Sequence, residues 1–390
     1  MSKIDNKSFR KEFKSILTDF LDLTGFINFV NMEALYKDIM KIKEVNFPIT
    51  NFEKYYKKSP EVERIFRRAH KKAIERVDKL TYQAMEGFIH NLNTMHSRAG
   101  AQVPFSSINF GTDTSFEGRM VTKNYLLAAW AGLGNGETPI FPISIFKVKE
   151  GINYNEEDPN YDLFKLSCKV SAKRLFPNFS FIDAPFNLPY YKPGNIDTEI
   201  AYMGCRTRVM ANVADPSKEI VTGRGNLSFT SINLVRLGIK YGIATGERKK
   251  ADMEGFYKEL DATMDAVRDQ LLERFDIQCK KHVYNFPFLL GQGVWIDSKG
   301  LKNKDNLRKI LKNGSLTTGF IGLAETLKAL TGKHHGESKS SQDLGLEIIG
   351  HMRERVNNYS KEYKISEFSS EFSKTFAYSA AASSNLPAFS

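Results

Sequence analysis

Three cysteines occur in the chain, and one of them, Cys205, lies in "AYMGCRTRV" (residues 201–209) between a glycine and an arginine. Gly204 permits a tight loop, and Arg206 and Arg208 place positive charge nearby; such a field lowers a thiol pKa and favours reactivity. The same residues are compatible with a buried small hydrophobe, the usual condition of a free cysteine. His90 and His96 could serve in a Cys–His pair, although nothing in the spacing requires it. "KHHGES" (333–338) could bind phosphate or form an exposed loop between helices. Two glycine-rich stretches fail as nucleotide motifs: "GLGNGETP" (132–139) is not a GxGxxG ahead of a helix, and "TGRGNLS" (222–228) lacks the lysine and spacing of a P-loop. Cys168 and Cys279 stand far from Cys205 and from each other, with no CxxC or Cys/His ligand spacing. Neither a disulfide framework nor a zinc site is indicated, and the thiols suit a reducing compartment.

The elements that must position these residues alternate in character. Phe9, Phe13, Ile16, Leu17, Phe20 and Leu21 recur at helical spacing. From Pro60, placed where a first turn tolerates it, Val62, Ile65, Phe66, Ala69, Ala73, Val77, Leu80, Ala84, Phe88, Leu92 and Met95 predict a helix of more than thirty residues. It delivers "HNLNTMHSRAG" at its C-terminal end. "AQVPFSSINFGTDTS" then reads as a strand entering a loop, and a shorter helix is expected around 123–131. "IFPISIFKV" (140–148) and "FPNFSFIDAPFN" (176–187) read as buried strands, and "NLSFTSINLVRLGI" (226–239) as a strand turning helical. Phe256, Leu260, Met264, Val267, Leu271 and Phe275 mark a long helix. "GSLTTGFIGLAETLKALTG" reads as strand or turn into helix, and "DLGLEIIGHMRERVNNYSKEYK" as a last helix. Helices alternating with short buried strands predict an α/β architecture with loops at strand ends, where sites usually lie.

At 390 residues the chain is long enough for one large α/β domain or two smaller ones, and 29 Phe and 16 Tyr supply ample core surface. The net charge of +11 favours polyanionic partners such as nucleotides, though acidic residues interleave with the basic stretches 53–79 and 301–314. No basic motif interleaved with aromatics marks a nucleic-acid binder. There is no apolar run long enough to span a membrane and no secretory signal, which makes the cytoplasm the default location.

Six segments together resemble the anaerobic, glycyl-radical (class III) ribonucleoside-triphosphate reductases: "HNLNTMHSRAGAQVPFSSINFGTDTS" (90–115), "GLGNGETPIFPISIFKVKEG" (132–151), "AYMGCRTRV" (201–209), "TGRGNLSFTSINL" (222–234), "NFPFLLGQGVWID" (285–297) and "GFIGLAETLKALTGKHHGES" (319–338). The resemblance runs from roughly residue 80 to 365 and implies a partial ten-stranded α/β barrel, flanked by long helices and threaded by a finger loop. It implies a thiyl radical at Cys205 that removes the 3′ hydrogen of a ribonucleoside triphosphate. It also implies an active-site asparagine 21 residues after Cys205, which is Asn226. An amide there can donate to and accept from ribose hydroxyls. Thr207 and Arg224 flank these positions and could contact substrate; Arg98, Ser106 and Ser107 lie in another matched segment and could line the pocket. The implied partners are ribonucleoside triphosphates, dNTP and ATP effectors, an iron–sulfur S-adenosylmethionine activase that generates a glycyl radical, formate as reductant, and a second copy in a homodimer.

Departures from the family pattern carry their own expectations. Its N-terminal ATP-cone, its four-cysteine zinc site and its RxxGY-type radical segment are not recognisable, so no cofactor or metal is expected on this chain itself. The pattern stops after Tyr363. Residues 1–365 read as a partial catalytic domain, and the Ser-rich 366–390 as a disordered or out-of-frame tail. The competing expectation is a remnant that only binds nucleotide or an intact reductase subunit. A pyruvate formate-lyase type of enzyme would use adjacent cysteines, where this chain has Met-Gly-Cys-Arg.

Overall fold

The structure is a computed structural model, and it describes residues 2–95, 102–204 and 207–363. Cys205, His96, Arg98 and the 366–390 tail therefore lie outside the described residues. Two compact units divide the chain, Met1–Ala184 and Pro185–Ser390. The division falls within "DAPFN", a stretch without linker composition, where the sequence suggests one domain over 1–365.

In the first unit, α1 (Ser2–Leu23) buries Phe9, Phe13, Ile16, Leu17 and Leu21, the expected stripe, with Phe20 half-buried. α2 (Met32–Ile39) and the single-turn α3 (Glu53–Tyr56) lead to α4 (Pro60–Thr94), whose N-terminus is capped by the Ser59 hydroxyl accepting from Val62 N. The first half of α4 packs through Val62, Phe66, Ala69, Ala73 and Val77 on the aromatic core of Phe9, Phe13, Phe47 and Phe52. Beyond Val77 the buried line passes to Thr81, Met85 and Ile89, while Leu80 and Met95 are exposed. The stripe shifts because the partner changes: Met85 and Ile89 pack against Tyr125, Leu126 and Ala129 of α5 (Phe116–Ala131).

Helix α5 starts earlier than its apolar pattern suggests, because Ser115 caps it by accepting from Gly118 N and because its first turns bury polar Glu117, Thr122 and Asn124. Glu117 is held by Val45 N at 2.7 Å. α6 (Tyr161–Arg174) is hidden from apolar periodicity, since two of its buried positions are Ser167 and Arg174. The strands that alternate with these helices form a parallel sheet ordered β1–β2–β3: β1 (Ser107–Phe110), β2 (Ile143–Val148) and β3 (Asn178–Phe181).

In the second unit, β4 (Asn226–Asn233) runs directly into α7 (Leu234–Tyr241), with the Asn233 side chain capping at Arg236 N. α8 (Met253–Cys279) and the single-turn α9 (Arg308–Leu311) follow. β5 (Ser315–Ile321) pairs parallel to β4 and feeds α10 (Leu323–Thr331), and α11 (Lys339–Tyr363) closes the described chain. The six apolar residues expected on α8 are all buried, and they share a core with Ile348, Ile349, Met352 and Val356 of α11 and with Leu327 of α10. The α/β class is as expected; the described strands form two small parallel sheets. Among the described residues no helix is long and apolar enough to cross a membrane.

Candidate active site

Four of the six motif segments meet in the second unit. Met203 N donates to Thr207 O at 2.7 Å, an antiparallel bridge between residues that flank Cys205 in the sequence. Gly204 has a φ of 64°, the left-handed conformation that favours glycine. Beside that bridge lies the start of β4: the thioether sulfur of Met203 is 3.6 Å from the point a Cβ on Gly225 would occupy, and Asn226 follows.

Trp295, from "GQGVWID", covers Gly225 on the same side and anchors its indole Nε1 on Ile310 O at 3.0 Å. Gly223 is needed as glycine, because its φ is 73° and a Cβ would sit 3.0 Å from Ile296 N and Val294 O. That close approach lets Ile296 N donate to Gly223 O at 2.7 Å, and Ser315 N donates to Gly225 O at 3.0 Å.

Arg224 is buried, and its guanidinium is spent on main-chain carbonyls. Nε donates to Asn313 O at 2.8 Å, Nη1 to Met210 O and Ile220 O at 3.0 Å each, and Nη2 to Ala211 O at 2.8 Å. It closes the 210–224 loop, which joins the Met203–Thr207 bridge to Asn226. Two further polar contacts extend the closure: Asn212 Nδ2 donates to Asn313 Oδ1 at 3.1 Å, and Lys218 bridges to Asp297 at 2.7 Å. Arg208 is also buried, donating to Asn187 and lying against the Phe186 ring.

Asn226 is half-buried, and its Oδ1 accepts from Thr317 Oγ1 at 3.3 Å and Ser315 Oγ at 3.5 Å. Neither hydroxyl stands out in the sequence, since a Ser and a Thr in a strand carry no site signal. Thr207, Arg224 and Asn226 are thus brought together in one unit. Ser106 and Ser107 belong to the other: Ser107 opens β1 opposite Ile143, and Ser106 O accepts from Ile143 N at 2.9 Å while its buried hydroxyl has no partner among the described residues. Nearby, Asn93 joins the first two motif segments, its Oδ1 accepting from Ile140 N and Phe141 N and its Nδ2 donating to Phe141 O. "KHHGES" is a turn between α10 and α11: His334 N donates to Glu337 Oε2 at 2.8 Å and Gly336 N to His334 Nδ1 at 3.0 Å, while the buried His335 Nδ1 has no partner among the described residues.

A sequence profile of the family described as "Anaerobic ribonucleoside-triphosphate reductase" matches residues 12–372, and the chain belongs to that family. The match reaches beyond both ends of the 80–365 span carried by the motifs, taking in the N-terminal helical layer and passing Tyr363. Proteins called anaerobic ribonucleoside-triphosphate reductase are similar to it in several organisms. The one from Haemophilus influenzae is 30% identical over 335 residues, covering 83% of this chain and 44% of that protein. That of Salmonella typhimurium is 31% identical over 294 residues, covering 74% and 39%. That of Enterobacteria phage T4 is 30% identical over 292 residues, covering 74% and 45%. The chain spans less than half the length of these curated relatives.

Proposed function

We propose that this chain supplies the nucleotide-reducing centre of an anaerobic ribonucleoside-triphosphate reductase, with Cys205 as the hydrogen-abstracting thiol and Asn226 as the group that holds the ribose. The observation that carries the proposal is the placement of Met203, two residues before Cys205 and bridged to Thr207, against Gly225 beside Asn226. In this reading the five parallel strands are part of a ten-stranded barrel, and residues 203–207 form its finger loop. The net charge of +11 suits a triphosphate substrate.

The chemistry assigned to the chain is short. The Cys205 S–H passes its hydrogen atom to the initiating radical, and the sulfur then takes the 3′ hydrogen of the bound ribose and returns it at the end of the cycle. The 2′ hydroxyl leaves as water with one proton, and formate provides two electrons and the hydrogen that the 2′ carbon gains, departing as carbon dioxide. A glycyl radical, installed by an iron–sulfur S-adenosylmethionine activase, supplies the initiating unpaired electron when present. The chain's own task is to keep the sugar carbon beside the sulfur, which the loop closure by Arg224 and the strand placement of Asn226 support. Homodimerisation and control by dNTP and ATP effectors belong to the same proposal.

Thiol protection tests it. Cys168 is exposed and Cys279 buried, so both serve as internal controls. Saturating CTP is expected to slow alkylation of Cys205 by N-ethylmaleimide at least about fivefold, as for a contact of about 1 kcal/mol, leave Cys168 unchanged, and lose its effect in Asn226→Ala. An unchanged Cys205 rate overturns the proposal. Addition of activase, S-adenosylmethionine and formate then separates a turning-over centre from a nucleotide-binding remnant.

A further inference from the structure

The register of β4 and β5 contains an irregularity at the candidate site. Asn226 pairs with Ser315, but the next pair is Ser228 with Leu316, so Leu227 is an extra residue on β4. A β-bulge of this kind re-aims the side chain beside it. The bulge is seated by Gly314, where a Cβ would stand 2.7 Å from Leu227 Cγ.

Asn226 is thereby turned so that one end of its amide meets two hydroxyls from β5, Ser315 Oγ at 3.5 Å and Thr317 Oγ1 at 3.3 Å. Both hydroxyl-bearing residues are buried. Among the described residues neither hydroxyl has another acceptor, and Asn226 Nδ2 has no partner. These facts fix which end of the amide faces the strand. With Oδ1 there, each hydroxyl proton has an acceptor and both Oδ1 lone pairs are used. With the amide reversed, two buried hydroxyl protons would be left without acceptors, the costly arrangement in a protein interior.

We propose that Ser315 and Thr317 are positioning residues that hold the Asn226 amide with its NH2 directed away from the strand, making Asn226 a hydrogen-bond donor to an acceptor oxygen of the ligand, a ribose hydroxyl oxygen. The ligand class rests on the reading of Asn226 as the ribose-holding group; the orientation of the amide does not. Neither hydroxyl touches the reacting atoms. Their action is through Asn226.

Two measurements on the full chain test this separately. Neutron diffraction from deuterium-exchanged crystals is expected to show the Ser315 and Thr317 hydroxyl deuterons directed at Asn226 Oδ1; a reversed amide overturns the proposal whatever the chain binds. In calorimetric titration with CTP, Thr317→Val is expected to weaken binding about fivefold, the effect of losing a net hydrogen bond of about 1 kcal/mol. Thr317→Ser, which keeps the hydroxyl, is expected to stay within about twofold of the wild type. Asn226→Asp, which keeps the acceptor for both hydroxyls but removes the donor, is expected to lose at least about tenfold. Full CTP affinity in Thr317→Val or in Asn226→Asp refutes the donor role. If the wild-type chain fails to bind CTP while the deuterons lie as expected, the ribose assignment falls and the positioning role stands.

Discussion

Arg224 can be read in two ways, as a substrate contact or as the closure of the 210–224 loop, and removal of its side chain separates them. Its five N–H groups face four main-chain carbonyls at 2.8–3.0 Å inside the fold. Taken singly, hydrogen bonds to a charged donor contribute about 1.5–3 kcal/mol each, which would sum to roughly 6–12 kcal/mol. The sum overstates the loss, because Met210, Ala211 and Ile220 lie on a loop that can open and let water reach their carbonyls. Breaking one buried charged network typically costs about 3–5 kcal/mol, and that is the destabilisation expected for Arg224→Ala. Arg224→Lys keeps the charge as a point and cannot span carbonyls on several sides, so it is expected to recover less than half of the loss. The assay is urea denaturation in a Trp130→Phe background. The chain has two tryptophans, and the remaining one, Trp295, is buried against Gly225 next to the closure. A loss below about 1 kcal/mol, a hydrogen bond or less, together with abolished CTP binding, would refute the loop-closure reasoning and return Arg224 to the substrate.

Gly314→Ala is expected to lose about 1–3 kcal/mol by forcing Leu227 and the bulge to move; in the double variant with Leu227→Ala the two losses should fall short of adding, and strict additivity in denaturation midpoints would count against the bulge seating. Tyr125, whose hydroxyl meets Ser144 in the core of the first unit, has its pKa pushed up by burial to about 12. The folded state therefore holds this proton more tightly than the unfolded chain, and the stability it contributes is complete below pH 10 and lost as pH rises toward 12. Between pH 9 and pH 11 the wild type is expected to lose about 1.4 kcal/mol more than Tyr125→Phe in urea denaturation. Parallel pH profiles for the two chains would contradict it.

How far the sequence disclosed this architecture depended on whether a buried face was apolar. The stripes of α1 and α8 and the first half of α4 were legible because each turns one apolar face into a single core. The change of partner after Val77 shifted the stripe, and periodicity carries no record of that. α6 was invisible because Ser167 and Arg174 occupy core positions. At the proposed site, Cys205 and Asn226 are singled out by whole motifs; their residue types alone leave the cysteine open between nucleophile and core filler. Ser315 and Thr317 gave no sign at all, because their contribution depends on a strand register and a bulge. Arg224 was legible as a special residue but not in its role, since its partners are carbonyls, which every residue possesses.

The two glycine-rich stretches that fail as nucleotide motifs acquire a common explanation. A phosphate-binding loop converges main-chain N–H groups on one point. Here the carbonyls converge, and the point is occupied by a guanidinium from the chain itself. Arg174 is buried and donates to Trp130 O and Ala131 O just before "GLGNGETP" and to Gly136 O within it, whereas Arg224, itself part of "TGRGNLS", gathers carbonyls from outside that stretch, those of Met210, Ala211, Ile220 and Asn313. The glycines allow the close approach: a Cβ on Gly132 would lie 2.6 Å from Glu137 O and 2.8 Å from Arg174 Nη2. Electrically these loops are the inverse of a phosphate cradle, cation sites filled by a built-in cation, and their arginines are not available to a polyanion. The proposed binding of a triphosphate would have to draw on other positive groups, and substitution of Arg174 or Arg224 should be read first in stability and only then in nucleotide affinity.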